Sequence, residues 1–135
     1  MNEMKGKVVV GAGTVLDAES ARLAILSGAT FILSPTVDKD TIRMSKKYGT
    51  VSIPGAMTPT EILEAYEYGG DIIKVFPTTS LGPEYIKNLQ GPLPHIPLLP
   101  TGGVSIDNVT DFIEAGAVGV GLGSALVNTK VETNK

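Results

Sequence analysis

"DIIKVFPTTS", Asp71 to Ser80, sets one lysine inside an apolar run: Ile72 and Ile73 precede Lys74, Val75 and Phe76 follow it, and Pro77 ends it. A short continuous run of this kind, rich in β-branched residues, predicts a strand buried on both faces, the sort that parallel sheets use. It is one of six. "VVVGAG" starts at Val8, "FILSP" at Phe31, "VSIPG" at Val51, "IIKVFP" at Ile72, "PLLPTGG" at Pro97 and "VGVGLGS" at Val118, so the starts recur about every 20 to 26 residues. The intervals have helical periodicity. In "DAESARLAILSG", Ala21, Leu23, Ala24 and Leu26 form an apolar stripe that Gly28 stops. "TPTEILEAYEYGG" offers Thr58 or Thr60 as N-cap, Pro59 in the first turn and Gly69 as terminator. "SIDNVTDFIEAGA" opens on Ser105 as a cap and closes at Gly116.

Strand–helix units at this pitch imply parallel strands joined by right-handed crossovers. An open doubly wound sheet and a (β/α)8 barrel both satisfy the pattern. Each strand ends in Gly or Pro and a small polar residue, which suits a barrel whose loops gather on one face, whereas an open sheet concentrates its ligand glycines at one switch point. A closed barrel needs eight units in about 200 residues or more, and 135 residues hold six. The expected fold is therefore α/β, a truncated (β/α)8 barrel of about six parallel strand–helix units, in a single domain spanning residues 1–135.

Composition narrows the function. The net charge of −3 gives no support for nucleic-acid or anionic-membrane partners. With no cysteine there is no disulfide, no thiolate metal site and no thiol nucleophile. The polar start "MNEMKGK" does not read as a signal peptide, and no apolar stretch is long enough for a bilayer. These features point to a cytoplasmic protein without nucleic-acid or membrane partners. The one histidine, His95, lies in the proline-rich "GPLPHIP", so no metal site is expected. No G-x-S-x-G elbow supports a serine triad.

Three features carry chemistry. Ile72, Lys74 and Phe76 alternate onto one strand face. A desolvated lysine loses its proton more readily, and the neutral amine attacks ketones to give a Schiff base. The plain alternative is a lysine that snorkels to water or pairs with Asp71. Second, "PTGGVS" (Pro100–Ser105) and "GLGSAL" (Gly121–Leu126) each lead into a helix, as phosphate loops do. Gly102, Gly103, Gly123 and the Ser124 hydroxyl are the candidate phosphate ligands, with tight turns as the alternative. Third, "GAGTV" (Gly11–Val15) lacks the third glycine of a dinucleotide fingerprint, and Asp17 follows too early. Thr14 reads instead as a hydroxyl at a strand's C-terminal end, with "SPT" (Ser34–Thr36) and "IPGAMTPTE" (Ile53–Glu61) at the same mouth.

Taken in order, "GAGTVLD", "FILSPT", "IPGAMTPTE", "IIKVFP", "PTGGVS" and "GLGSAL" resemble the 2-keto-3-deoxy-6-phosphogluconate and 4-hydroxy-2-oxoglutarate aldolases and their phosphogalactonate relatives, over about residues 7 to 128. The resemblance implies a metal-free, cofactor-free class I aldolase with a (β/α)8 fold. It also implies a homo-oligomer, a trimer in the family, that cleaves a phosphorylated keto acid to pyruvate and an aldehyde. It further implies that Lys74 forms the Schiff base, that Phe76 packs beside the imine and that Thr14 contacts the pyruvate part. Pro35 matches the family's "SP" proline, Gly102 and Gly103 its phosphate glycines, and Ser124 its phosphate serine. The family's glutamate base and carboxylate-binding arginine have no match in this chain. The first two βα units and the last helix are absent by the same comparison, so weak or no turnover is expected of these residues alone. The alternatives are a non-catalytic fragment that self-associates, and a phosphate-binding barrel of another reaction class.

Overall fold

The computed structural model of the protein describes residues 8–123. Along the chain run α1 (Ala18–Leu26), β1 (Phe31–Leu33), α2 (Lys39–Lys47), β2 (Val51–Ile53), β3 (Gly55–Ala56), α3 (Pro59–Tyr68), β4 (Ile73–Val75), α4 (Gly82–Gln90), β5 (Leu98–Pro100) and α5 (Val109–Glu114). The chain divides into two compact units, one up to Ile73 and one from Lys74.

In the first unit, β1 and β2 pair in parallel, with Phe31 opposite Val51, Ile32 opposite Ser52 and Leu33 opposite Ile53. The first apolar run reduces to a single parallel bridge, Ala12 to Ile32, held by Ala12 N–H to the Phe31 carbonyl at 3.0 Å and Leu33 N–H to the Ala12 carbonyl at 2.8 Å. Two glycines flank Ala12, and glycine weakens a strand interior. At Gly11 the absence of a side chain is required, because a Cβ there would collide with the Phe31 ring.

Each helix of this unit starts on a side-chain cap. Asp17 accepts the Ser20 N–H at 2.7 Å, Asp38 accepts the Thr41 N–H at 3.0 Å, and Thr58 with Glu61 closes a capping box behind Pro59. Gly28 and Gly69, at φ +111° and +118°, end α1 and α3 as the sequence predicts. The α1 stripe is a correction. Ala21 is buried and Ala24 and Ile25 pack with it against Val15 and Ile32, while Leu23 and Leu26 are exposed. At 100° per residue, positions 21, 24 and 25 share a face and positions 23 and 26 lie well round from it.

In the second unit, β4 and β5 are hydrogen-bonded neighbours, and Thr101 N–H reaches the Val75 carbonyl at 3.0 Å. The last apolar run again contributes one parallel bridge, Thr101 to Gly121. Val75, Ile86, Leu98 and Phe112 are buried to 1% exposure or less and form part of the core. Helix α5 begins three residues later than Ser105 predicts. Asn108 Oδ1 accepts the Ser105 N–H at 2.8 Å, closing residues 105–108 into a turn, and Asn108 takes the N-cap position. Gly116, at φ +114°, follows its end as expected. Among the described residues no helix is long and apolar enough to cross a membrane.

Candidate functional site

Lys74 is the middle residue of β4, and Ile73, Lys74 and Val75 are all buried. The strand is thus covered on both faces. The lysine retains only 8% of its surface. Asp71 does not neutralise it. That carboxylate accepts Lys46 Nζ at 2.7 Å and the Ser52 N–H at 2.8 Å. Among the described residues Lys74 forms no ion pair; its ammonium instead sits 4.3 Å from the centroid of the Phe76 ring. The i, i+2 spacing puts both side chains on one strand face. A cation over an aromatic face gains about 0.5–2 kcal/mol, which favours the charged form. Burial acts the other way and pushes the Lys74 amine below the ordinary lysine range. Asp71 therefore pairs with Lys46 and not with Lys74, and Lys74 is a buried amine whose pKa burial lowers.

Beyond Phe76 and Pro77, joined by a cis peptide, the chain folds onto the glycine loop that follows β5. Thr78 is 1% exposed. Its amide donates to the Thr101 carbonyl at 3.0 Å, and its hydroxyl lies 2.6 Å from the Gly102 carbonyl oxygen and 3.1 Å from that of Thr101. Gly102 and Gly103 take φ values of +92° and +76°. A Cβ at Gly103 would lie 2.6 Å from Thr79 Cα, so the packing of the two loops requires glycine there whatever else binds. Thr101 has a buried hydroxyl oxygen with no hydrogen-bond partner among the described residues, facing Gly121, where a Cβ would strike it. Gly123 is exposed, with open space where a Cβ would stand, so packing supplies no reason for its being glycine. Ser124 lies outside the described residues.

The first unit holds the remaining candidates. Thr14 is exposed at φ +58°, the one non-glycine residue with positive φ among those described. A β-branched residue there is a strained outlier, a conformation that concentrates at functional sites. Pro35 is half-buried, and its backbone carbonyl carbon would stand 2.6 Å from a Cβ at Gly55, so the "SPT" and "IPG" turns pack directly on one another. Thr78 and Thr101 escaped the reading from sequence. The only local sign of Thr78 is its place four residues after the lysine; its role depends on a partner 24 residues away. Among the described residues no three His, Cys, Asp or Glu side chains cluster as metal ligands.

Known proteins resemble this chain as follows. The family model described as KDPG and KHG aldolase matches residues 1–135. The 2-dehydro-3-deoxy-6-phosphogalactonate aldolase of Escherichia coli (strain K12) is 40% identical over 121 residues, which cover 89% of this chain and 59% of that protein. A solved KDPG aldolase of Legionella pneumophila, with pyruvate captured at low pH as a covalent carbinolamine intermediate, superposes with a TM-score of 0.86 at 27% identity, covering 98% of this chain and 65% of that one. A cube-shaped, highly porous cage designed by fusing symmetric oligomeric domains matches with a TM-score of 0.88 at 37% identity, over 93% of this chain and 47% of that one. The chain spans about half the length of the curated relatives it matches. With these likenesses the α/β fold is that of the (β/α)8 class, of which the chain holds a part.

Proposed function

The chain belongs to the KDPG and KHG aldolases, and on that premise we propose that it carries the Schiff-base and phosphate-binding portion of a class I aldolase acting on a phosphorylated 2-keto-3-deoxy sugar acid. The observation that carries this reading is Lys74: buried, without an acidic partner among the described residues, and lowered in pKa by burial. The neutral amine adds to the C2 ketone to give a carbinolamine, and loss of water gives the imine. The C4 hydroxyl gives its proton to a base, and the protonated imine takes up the electrons of the C3–C4 bond as that bond breaks, releasing the aldehyde and leaving an enamine. Protonation at C3 and hydrolysis release pyruvate and restore the amine. The carbinolamine captured with pyruvate in the Legionella relative supports the first step.

In this reading Phe76 lies against the imine, and Thr14 and Pro35 bind the keto-acid part. Gly102, Gly103, Gly123 and Ser124 receive the phosphate. The strained φ of Thr14 and the positive φ of Gly102 and Gly103 support these assignments. Proton transfer to and from the bound intermediate needs a positioned base, worth about 10²–10⁴-fold. Among the described residues Lys74 forms no ion pair with a carboxylate, and turnover by these residues alone is proposed to be weak. A cytoplasmic homo-oligomer, a trimer as in the family, fits the metabolic role. The exposed side chains of Val8, Val9 and Val10 offer an apolar surface for association.

The test is reductive trapping. Incubation with pyruvate and borohydride, followed by peptide mass mapping, places one adduct on Lys74. Absence of an adduct removes the aldolase reading. Sedimentation that finds a well-folded monomer removes the oligomer.

A further inference from the structure

We propose that Thr78 is a positioning residue that turns the Gly102 and Gly103 amides outward as an anion receptor, so that it governs affinity for the phosphate end of the ligand and not the imine chemistry of Lys74. This rests on the phosphate reading of the β5 loop given above.

The argument is one of peptide geometry. The Thr78 hydroxyl has one proton to donate. The Thr101 carbonyl already receives the Thr78 N–H at 3.0 Å, so the shorter hydroxyl contact, 2.6 Å to the Gly102 carbonyl oxygen, takes that proton. Both carbonyls are therefore drawn toward Thr78. In a planar trans peptide the N–H points opposite to the C=O. The Gly102 N–H, partner of the Thr101 carbonyl, and the Gly103 N–H, partner of the Gly102 carbonyl, both face away from Thr78. Neither donates to a backbone carbonyl among the described residues. Two successive amides without a partner among the described residues, on one side of consecutive positive-φ residues, form a concave donor pair suited to a phosphate oxygen. Thr78 is buried at 1% exposure, so its hydroxyl is held in place by packing and does not itself reach the ligand.

Without that hydroxyl the Gly102 carbonyl loses its anchor, and two glycines have the freedom to rotate the peptide. The phosphate end should then bind more weakly while the amine at Lys74 stays as reactive as before. Sn-glycerol 3-phosphate, an unreactive phosphate ester, serves as the probe, titrated by calorimetry against wild type, Thr78→Val and Thr78→Ser. Pyruvate–borohydride labelling of Lys74 is measured on the same samples. Thr78→Val should weaken the ester about tenfold. Thr78→Ser should stay within about twofold of wild type, and labelling of Lys74 should be unchanged in both. Equal affinity in wild type and Thr78→Val overturns the proposal, and so does a parallel loss of ester binding and labelling. If wild type does not bind the ester, the phosphate reading itself fails. If it binds the ester but traps no pyruvate, the aldolase reading fails while the Thr78 comparison still stands. Should Thr78→Val not fold, Thr78→Ala carries the comparison; if neither folds, Thr78 is a packing residue and the positioning role is overturned.

Discussion

Lys46 and Lys74 carry the same ammonium in opposite surroundings. Lys46, in the last turn of α2, keeps 38% of its side-chain surface and meets Asp71 at 2.7 Å, with a longer contact of 3.4 Å to the Thr50 carbonyl. Lys74, three residues after Asp71 in the chain, keeps 8% of its surface and has an aromatic face for company. Asp71 serves the solvated lysine and the Ser52 amide, and among the described residues leaves the buried one without a counter-ion. A structure selected only for stability would do the reverse, because an unpaired buried charge costs far more than an unpaired surface charge. The difference marks Lys46 as a staple and is what sets Lys74 apart as the proposed reagent.

The largest effect comes from removing the reagent. Lys74→Met keeps the volume and apolar stem and deletes the amine. Pyruvate trapping should vanish, as read by intact mass after borohydride, while the thermal midpoint holds or rises because a destabilised charge has left the interior. A midpoint that falls as far as for a core truncation would place Lys74 among the packing residues and end the contrast with Lys46.

The second effect is on pH. With its folded-state pKa below the ordinary value, the Lys74 amine loses its proton at lower pH than an ordinary lysine does. The labelling rate at Lys74 should therefore reach its half-maximum at lower pH than that of a free lysine derivative in the same solution, read by peptide mapping after brief exposure to an amine reagent. The sign for stability follows. Between the lowered folded pKa and the ordinary lysine value the unfolded chain binds the extra proton, so stability rises with pH through that window. The penalty is fully present below the folded pKa and gone above the unfolded one. In Lys74→Met that slope should disappear.

How far this contrast could be seen in advance depends on which signals are local. The apolar frame of Lys74 is written into "IIKVFP", and the cap at Thr58, with Pro59 in the first turn, lies within three residues of what it caps. The α/β alternation was legible for that reason. Signals that depend on distant partners were not. That Asp71 would choose Lys46 depends on a contact across 25 residues of chain, and Thr78 depends on Gly102. Leu23 and Leu26 look like core residues in a list of apolar positions and are exposed in the fold, since a nine-residue helix can turn only one narrow face inward. The strain at Thr14 was also hidden, because a threonine gives no local warning of positive φ.

A smaller effect tests the staple from its acidic side. Asp71→Asn removes the charge that holds Lys46 and weakens the bond to the Ser52 N–H. The loss should be about 1–2 kcal/mol in a chemical denaturation series. Reactivity of Lys74 should not change, since Asp71 is not its partner. A shift in the pH profile of Lys74 labelling would show that the carboxylate reaches both lysines and would dissolve the distinction.

The smallest effect is expected at Lys46 itself. Lys46→Met leaves Asp71 with the Ser52 N–H and with water, because the carboxylate is 37% exposed. Solvent then takes the place of the ammonium at little cost, and the side-chain entropy released offsets part of the lost Coulomb energy. The decrease should be about 0.2–1 kcal/mol at low ionic strength and should shrink as salt is added, because exposed charges are screened. A melt series at two salt concentrations, run on wild type and Lys46→Met, measures both terms. A loss several times larger that is indifferent to salt would mean that Lys46 is held as tightly as an interior charge. The protein would then have protected both lysines from water, and the feature separating them would be the carboxylate alone.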